Sequence, residues 1–446
     1  MDQARYKWYV VGLLWCVCFL NYADREAIFS LFPLLEKELR LSPVQLGLLG
    51  SAFAWVYGLS APFAGRIVDR VRRKTAVLSG LYTWSVIAAA TALSRTFRQL
   101  FSFMAAEGLG ETFYVPASMS MISDYHGKAT RSRAMGMHQT SVYVGTIGGG
   151  FFAGLIGERY GWRWSFVFFG GLGILLGLVL VKLLCEPQRG AADREDSHAS
   201  LQSAFSPRQA IRAAHPQGAG PGFFLNRPSS IQKRVIERAP LGESLSVILG
   251  TPSALLLMGA FMCANFVALV LLSWMPKFLY DKFHLSLAMA GLSATIFVQV
   301  ASMAGSLVGG WFADLFRRRI ASGRVLVQAA AVLCGAPFVY LCGRTASVLW
   351  VMVWLTVWGL FKGLYDANIF ASLFDVVAPQ VRGTAAGLMN MVGWLGGGGL
   401  APVLIGYIAQ RAGLGFAISC SAAVYVTAGL LLATVLAKEV VWRVFW

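Results

Sequence analysis

The feature that most constrains this chain is its series of apolar stretches long enough to cross a bilayer. A spanning helix needs about 20 mostly apolar residues. Such stretches fall near residues 8–33, 44–68, 75–94, 98–124, 134–160 and 164–184. After a polar interval they resume near 246–279, 287–315, 323–343, 347–375, 383–411 and 414–437. In lipid every backbone N–H and C=O must be satisfied inside the protein, so stretches of this length fold as helices. Composition agrees: only 13% of the 446 residues are charged and the mean hydropathy is +0.62, against about 25% charged residues in a soluble domain. The expected fold is an all-α membrane protein with twelve transmembrane helices. The first stretch, Trp8 to Phe32, has no small-residue cleavage site ahead of a polar domain and reads as a span, not a signal peptide.

A net charge of +17 raises the question of nucleic acid, and the placement of the charge answers it. Cations gather at alternate loops: Arg5 and Lys7; Arg70, Arg72, Arg73 and Lys74; Lys128, Arg131 and Arg133; Arg317 to Arg319 with Arg324; Arg382; Lys438 and Arg443. The opposite loops hold scattered cations, Lys37, Arg98, Lys277 and Arg344. This is the positive-inside pattern, which predicts both termini in the cytoplasm of a cell whose inner membrane carries the chain, and no nucleic-acid partner. The seven cysteines lie almost entirely within apolar segments, without metal-binding spacing, and read as small buried apolar residues. There is no G-x-x-x-x-G-K-[ST], HExxH or GxSxG motif. Neither ATP hydrolysis nor another enzyme activity is expected, and no metal or cofactor.

Residues 185–245 form the only long polar stretch and divide the chain into two six-helix halves, 1–184 and 246–446. The stretch reads as a cytoplasmic linker. Ser230 to Arg238 within it reads equally as solvated linker or as a short basic helix on the inner leaflet. The halves repeat. Gly65-Arg-Ile-Val-Asp69-Arg70-Val-Arg72-Arg73 follows span two, and Gly310-Trp-Phe-Ala-Asp314-Leu-Phe-Arg317-Arg318 follows span eight. Both read G-x-x-x-D-x-x-R-R. Arg133-Ala-Met-Gly136 opens span five and Ala385-Ala-Gly387 opens span eleven, each followed by a glycine run, Gly148–Gly150 or Gly396–Gly399. The runs suit either hinging helices or close packing. Two halves in the same orientation are parallel repeats, making two pseudo-symmetric six-helix bundles.

With these two loop motifs the chain resembles the major facilitator superfamily. The resemblance implies that the loops are cytoplasmic latches between helices, with Asp69, Arg70, Arg73, Asp314 and Arg318 as their working residues. Three further segments resemble the anion:cation symporter branch: Asn21-Tyr22-Ala23-Asp24-Arg25, Gly108-Leu-Gly110-Glu111 with Pro116, and Gly161-Trp162-Arg163-Trp164-Ser-Phe166. The N-terminal half also resembles the spinster-like branch, through the same N-Y-x-D-R and G-x-G-E and through Ala61-Pro62-Phe63-Ala-Gly65. Met104 and Ser60 stand where the symporter branch often has Arg and Gln. The first branch implies proton-coupled transport of sugar acids and other organic anions; the second implies a lysolipid or other amphiphile. A receptor or sensor without flux is the alternative of another class.

Ionisable groups inside the apolar spans carry the chemistry: Asp24, Arg25, Glu107, Glu111, Lys362 and Asp366. Each costs about 2.5–3.5 kcal/mol at a helix centre on insertion scales, so together they point to a central polar cavity. Glu107 and Glu111 are four apart and share a helical face. Neighbouring carboxylates resist joint ionisation, which suits proton loading. The expectation is Glu111 as proton-coupling site, Asp24 as second carrier or gate, and Glu107 as a further candidate. A permanent Arg25–Glu111 ion pair is the alternative. Aligning Ala134 with Ala385 sets Glu111 against Lys362 and Tyr114 against Tyr365. Arg25 and Lys362 are then expected to clamp a substrate carboxylate, with a local Lys362–Asp366 helix pair as the other reading. Tyr22, Tyr57, Gln139 and Asn390, ahead of His138, Tyr143, Asn265, Gln299 and Asn368, are candidates for substrate hydroxyls, and Trp394 for an aromatic wall. The expected partners are a small-molecule substrate, protons and the bilayer, with a monomer as the assembly.

Overall fold

The computed structural model describes residues 3–189, 241–317, 320, 322–378 and 381–445. The expected linker lies largely outside these residues, and Ser230 to Arg238 wholly so. Helices α1 (Gln3–Ser30), α2 (Phe32–Leu39), α3 (Pro43–Arg70), α4 (Arg73–Thr91), α5 (Phe97–Glu111), α6 (Tyr114–Tyr125), α7 (Lys128–Tyr160) and α8 (Trp162–Leu183) build the first bundle. A short α9 (Leu241–Leu249) precedes the second bundle, α10 (Pro252–Phe283), α11 (Leu287–Arg317), α12 (Gly323–Arg344), α13 (Val348–Asp366), α14 (Ile369–Val376), α15 (Arg382–Val392), α16 (Ala401–Ala412) and α17 (Leu414–Phe445). Nine described segments are long and apolar enough to cross a membrane. The other three spans are α1, which carries Asp24, Arg25 and Glu26, the short α4, and the α5–α6 pair.

Several spans are broken where the sequence suggested continuous helices, and proline marks three of the breaks. Pro33 lacks an N–H, and the first span turns at Leu31 into α2. Pro116 leaves the Thr112 carbonyl without its helical donor, and the fourth span breaks between Glu111 and Tyr114. Span seven begins at Pro252 rather than 246, because Gly250-Thr251-Pro252 separates α9 from it. Span eleven widens to a π-helix over Gly393–Gly398 before α16. Lys277, expected in a loop, lies inside α10 and is buried. Tight turns link α7 to α8 and α16 to α17 through Gly161 (φ 92°) and Gly413 (φ 85°), a backbone region that glycine enters without steric cost.

The two glycine runs differ. Gly148–Gly150 sits in regular helix and packs closely: a Cβ on Gly149 would strike the Ala23 backbone, and one on Gly150 would lie 2.8 Å from the Gly291 carbonyl oxygen. The later run forms the π-helix instead. The bundles meet through α7 on α11, α3 on α16 and α1 on α10. Contact is tightest at the end remote from the termini. There Gly47 and Gly406 give α3 and α16 room for backbone contact at Pro402 and Pro43, and Gly154 abuts Leu287. Among the described residues, two polar links cross between the bundles at this end: Lys277 with Glu36, and the Leu287 N–H donating to Glu158 Oε2 at 3.1 Å. Toward the termini the packing thins, and a Cβ on Gly65, Gly136, Gly310 or Gly387 would meet nothing within 4 Å.

Candidate functional site

The break after Glu111 ends α5 beside the middle of α1, and this brings Arg25 to Glu111. Nε and Nη2 of Arg25 donate to Glu111 Oε2 at 3.1 and 2.5 Å. Four rings surround the guanidinium: Phe53 at 4.6 Å, Tyr22 at 4.7 Å, Tyr57 at 5.0 Å and Trp394 at 5.3 Å. Trp394 comes from the π-helix of the other bundle, so Arg25 is enclosed by both halves. Such faces attract a cation by roughly 0.5–2 kcal/mol each. The arrangement leaves Arg25 Nη1 and Glu111 Oε1 buried without a protein partner.

Asp24 and Glu107 complete the cluster. One carboxylate oxygen from each of Asp24, Glu107 and Glu111 lies within 4.8 Å of the others, and all three side chains are buried. Carboxylates this close can share protons or a small cation. Asn21, also fully buried, lies beside Glu111, with neither amide atom in a well-formed hydrogen bond among the described residues. Asp24, Arg25 and Glu107 line a cavity that continues over Phe29, Phe53, Met104, Leu269 and Trp394, between the bundles. Met104 thus sits beside the cluster as an apolar wall.

The C-terminal candidates are arranged differently. Lys362 pairs with Asp366 on its own helix, as the local reading held. Tyr143 of α7 lies within electrostatic reach of Lys362, which places the lysine toward the opposite bundle. The α5 and α13 helices begin in the register of the Ala134–Ala385 alignment, but α13 runs 19 residues before its break and α5 only 15. The acids at the two breaks are therefore Glu111 and Asp366, and by the breaks Lys362 answers to Glu107 rather than to Glu111. Gln139 and Asn390 are exposed, and their side chains make no hydrogen bond among the described residues. His138 is drawn into the core by Tyr114, 2.8 Å from its hydroxyl. Asn368 ties α13 to α11 through the Leu364 and Gly309 carbonyls.

Of the expected latch residues, Arg73 is buried and joins Asp124 at 3.4 Å and the Val68 carbonyl at 2.9 Å. Arg70 is exposed. The side chains of Asp69 and Asp314, and the whole of Arg318, lie outside the described residues. Sequence reasoning missed the partner of Arg73 and its repeat: Arg324 binds Asp375 at 2.9 Å in the second bundle, at the positions the repeat alignment pairs with Arg73 and Asp124. It also missed Glu186, which caps α4 by accepting from the Arg73 and Lys74 N–H groups at 2.7 Å each. Glu26, next to the quoted Asp24-Arg25, is buried and was passed over.

Comparison with known proteins follows the same outline. The probable galactarate/D-glucarate transporter GudP of Escherichia coli (strain K12) is 24% identical over 91% of this chain and 88% of its own length. The D-galactonate transporter of Escherichia coli O6:H1 (strain CFT073) is 24% identical over 95% and 93%. A bacterial homologue of the human lysosomal transporter Spinster, in an inward-facing and unoccupied conformation, superposes with a TM-score of 0.78 at 21% identity, covering 96% of this chain and 97% of the other. Residues 14–303 and 278–445 match the sequence profile of the Major Facilitator Superfamily, and the chain belongs to that family of multi-pass membrane transporters.

Proposed function

We propose that this protein is a proton-coupled symporter of a small sugar-acid anion, working by alternating access as a monomer. It sits in the inner membrane with both termini cytoplasmic, and the bundles 1–184 and 246–446 are joined by a linker over 185–245. The observation that carries the reading is the buried Arg25–Glu111 pair, in which Arg25 keeps Nη1 free beside a cluster of three carboxylates. Relatives named for galactarate, glucarate, galactonate and hexuronate support the substrate class.

The chemistry follows from charge balance. An arginine committed to a carboxylate holds a second carboxylate poorly. A proton on Glu111 removes that competition and frees the guanidinium for a bidentate bond to the substrate. Asp24 and Glu107 hold the adjoining proton. The four aromatic faces keep Arg25 oriented, and Tyr22 and Tyr57 are placed to meet substrate hydroxyls. Lys362 exchanges Asp366 for the substrate's far end, which couples the second bundle to binding. Rocking of the bundles then breaks the remote-end links, and contacts of the Asp69 and Asp314 loops form at the terminus end. The close contacts at the remote end support a state whose site opens toward the terminus end, which this reading assigns to the cytoplasm.

An amphiphile is the second reading. An apolar groove on the lipid side of α1 and α8, lined by Trp15, Phe19, Leu172, Leu175 and Val179, favours it. Uptake into proteoliposomes with an imposed pH gradient separates the two. Labelled galactarate, galactonate and a hexuronate should accumulate with an acidic exterior and stop when the gradient collapses. Accumulation of lysophospholipid with none of the sugar acids would overturn the reading.

A further inference from the structure

Lys277 is only 6% exposed, and its ammonium is held by two acids of different origin. Glu36 reaches it from α2 in the first bundle. Asp281 stands one turn further along α10 itself, with Oδ2 at 2.6 Å. The side chains of the two acids are 36% and 45% exposed, so the pair reaches outward while the lysine is covered. An ammonium has three donors and no acceptor. When the bundles part, Glu36 leaves with α2, and Asp281 stays on the lysine's own helix. One bonding position of the ammonium is then open to another carboxylate.

The position of Lys277 lies on the line from the remote end to Arg25. Glu36 follows Phe32 by one turn of α2, and Lys277 follows Trp274 by three residues on α10. The rings of Phe32 and Trp274 meet edge to face at 5.3 Å, and Phe29 meets Phe32 at 5.5 Å. Phe29 lines the cavity that holds Asp24, Arg25 and Glu107. Helix α10 reaches the same cavity at Leu269, eight residues before Lys277, about 12 Å along the helix axis. From the remote end inward the order is therefore the Lys277 ion pair, the Phe32–Trp274 contact, and the cavity.

The remote end as a whole favours anions. Residues 31–43, 91–98, 157–164, 276–287, 343–348 and 409–415 carry ten lysines and arginines against four carboxylates. All four carboxylates are engaged: Glu36 and Asp281 on Lys277, Glu38 on Arg163 and Trp162, and Glu158 on the Leu287 N–H. Lys282 lies within electrostatic reach of Arg344, so like charges adjoin on the second bundle. The positive-inside rule gives no reason for a cationic excess at this end. A concave surface of one sign raises the local concentration of the opposite ion.

We propose that Lys277 is the entry site for the anionic substrate. When the remote end opens, a substrate carboxylate takes the place on the ammonium that Glu36 leaves, and moves from there past Phe32 and Trp274 to Arg25. Glu36 is then the competitor that reclaims Lys277 as the bundles close. The inference rests on the proposed carriage of a sugar-acid anion and on the remote end facing outward.

The test measures uptake of labelled galactarate, galactonate and a hexuronate by right-side-out and inside-out membrane vesicles, under a pH gradient of the same sense. Lys277→Gln should raise KM about tenfold in right-side-out vesicles and change it by less than about twofold in inside-out ones, and Lys277→Arg should restore the first value. Glu36→Gln removes the competitor and should leave KM in right-side-out vesicles unchanged or lower. If the pair were a lock and nothing more, Lys277→Gln and Glu36→Gln would act alike, since each breaks the same link. In the wild type, raising salt from about 0.01 to 1 M shortens the screening length from about 30 to 3 Å and should raise KM in right-side-out vesicles about threefold or more. That measurement needs no variant to fold. An unchanged KM in Lys277→Gln, an equal rise in Glu36→Gln, or a wild-type KM indifferent to salt would overturn the inference and leave the substrate class standing. Wild-type vesicles that take up none of the three sugar acids would remove the substrate class, and the entry site with it.

Discussion

At the scale of single residues the account turns on Arg25. Its position was legible, because a charged pair inside an apolar span has few uses other than a cavity. Its surroundings were not: Phe53 lies 28 residues further along the chain, and Trp394 comes from the other bundle. Nothing in local sequence forecasts contacts set by the packing of α1 against α3 and the π-helix. Arg25→Lys separates charge from geometry. Lysine keeps the charge but loses the fork that binds Glu111 through two nitrogens and offers the third to substrate. Hydrogen bonds to charged groups contribute about 1.5–3 kcal/mol, so the substrate KM should rise about 10- to 100-fold with the protein still folded. An unchanged KM in transport assays would remove Arg25 from the binding site.

At the scale of elements the sequence was read well for helix existence and poorly for helix continuity. The twelve spans follow from apolar length, a property of composition. The breaks at Leu31, Thr112 and Ala367 and the π-helix at Gly393 depend on how freed backbone groups are satisfied, which hydropathy does not encode. These interruptions position the site, since Glu111 and Asp366 are the last residues before two of them. The loop motifs located the span ends, while the ion pairs there, Arg73–Asp124 and Arg324–Asp375, link residues 51 apart. The glycine seam carries its own prediction. A side chain at Gly150 would meet the Gly291 backbone, and backbone cannot yield as a flexible side chain does. Gly150→Leu should hold the remote end open, abolishing uptake while substrate still protects the protein in a thermal-shift assay. Uptake at half the wild-type rate or more would show that the seam need not close. Gly136→Ala, where this state leaves space, should affect uptake far less.

At the scale of the whole molecule, two bundles joined at one end are the form that alternating access requires, and the parallel repeat announced them in advance. The conformation was not legible, because one sequence must support every state of the cycle with only small differences in free energy. In the proposed cycle, coupling at Glu111 is what ties the bundles to transport. A glutamine there mimics the protonated acid: it should still release Arg25 to substrate and still permit exchange of substrate across the membrane, but it has no proton to deliver. The direct measurement is lumenal pH in proteoliposomes when a transported sugar acid is added outside, read alongside exchange of labelled for unlabelled substrate. The account predicts proton entry in the wild type, and in Glu111→Gln exchange without proton entry. Proton entry undiminished in Glu111→Gln would contradict it.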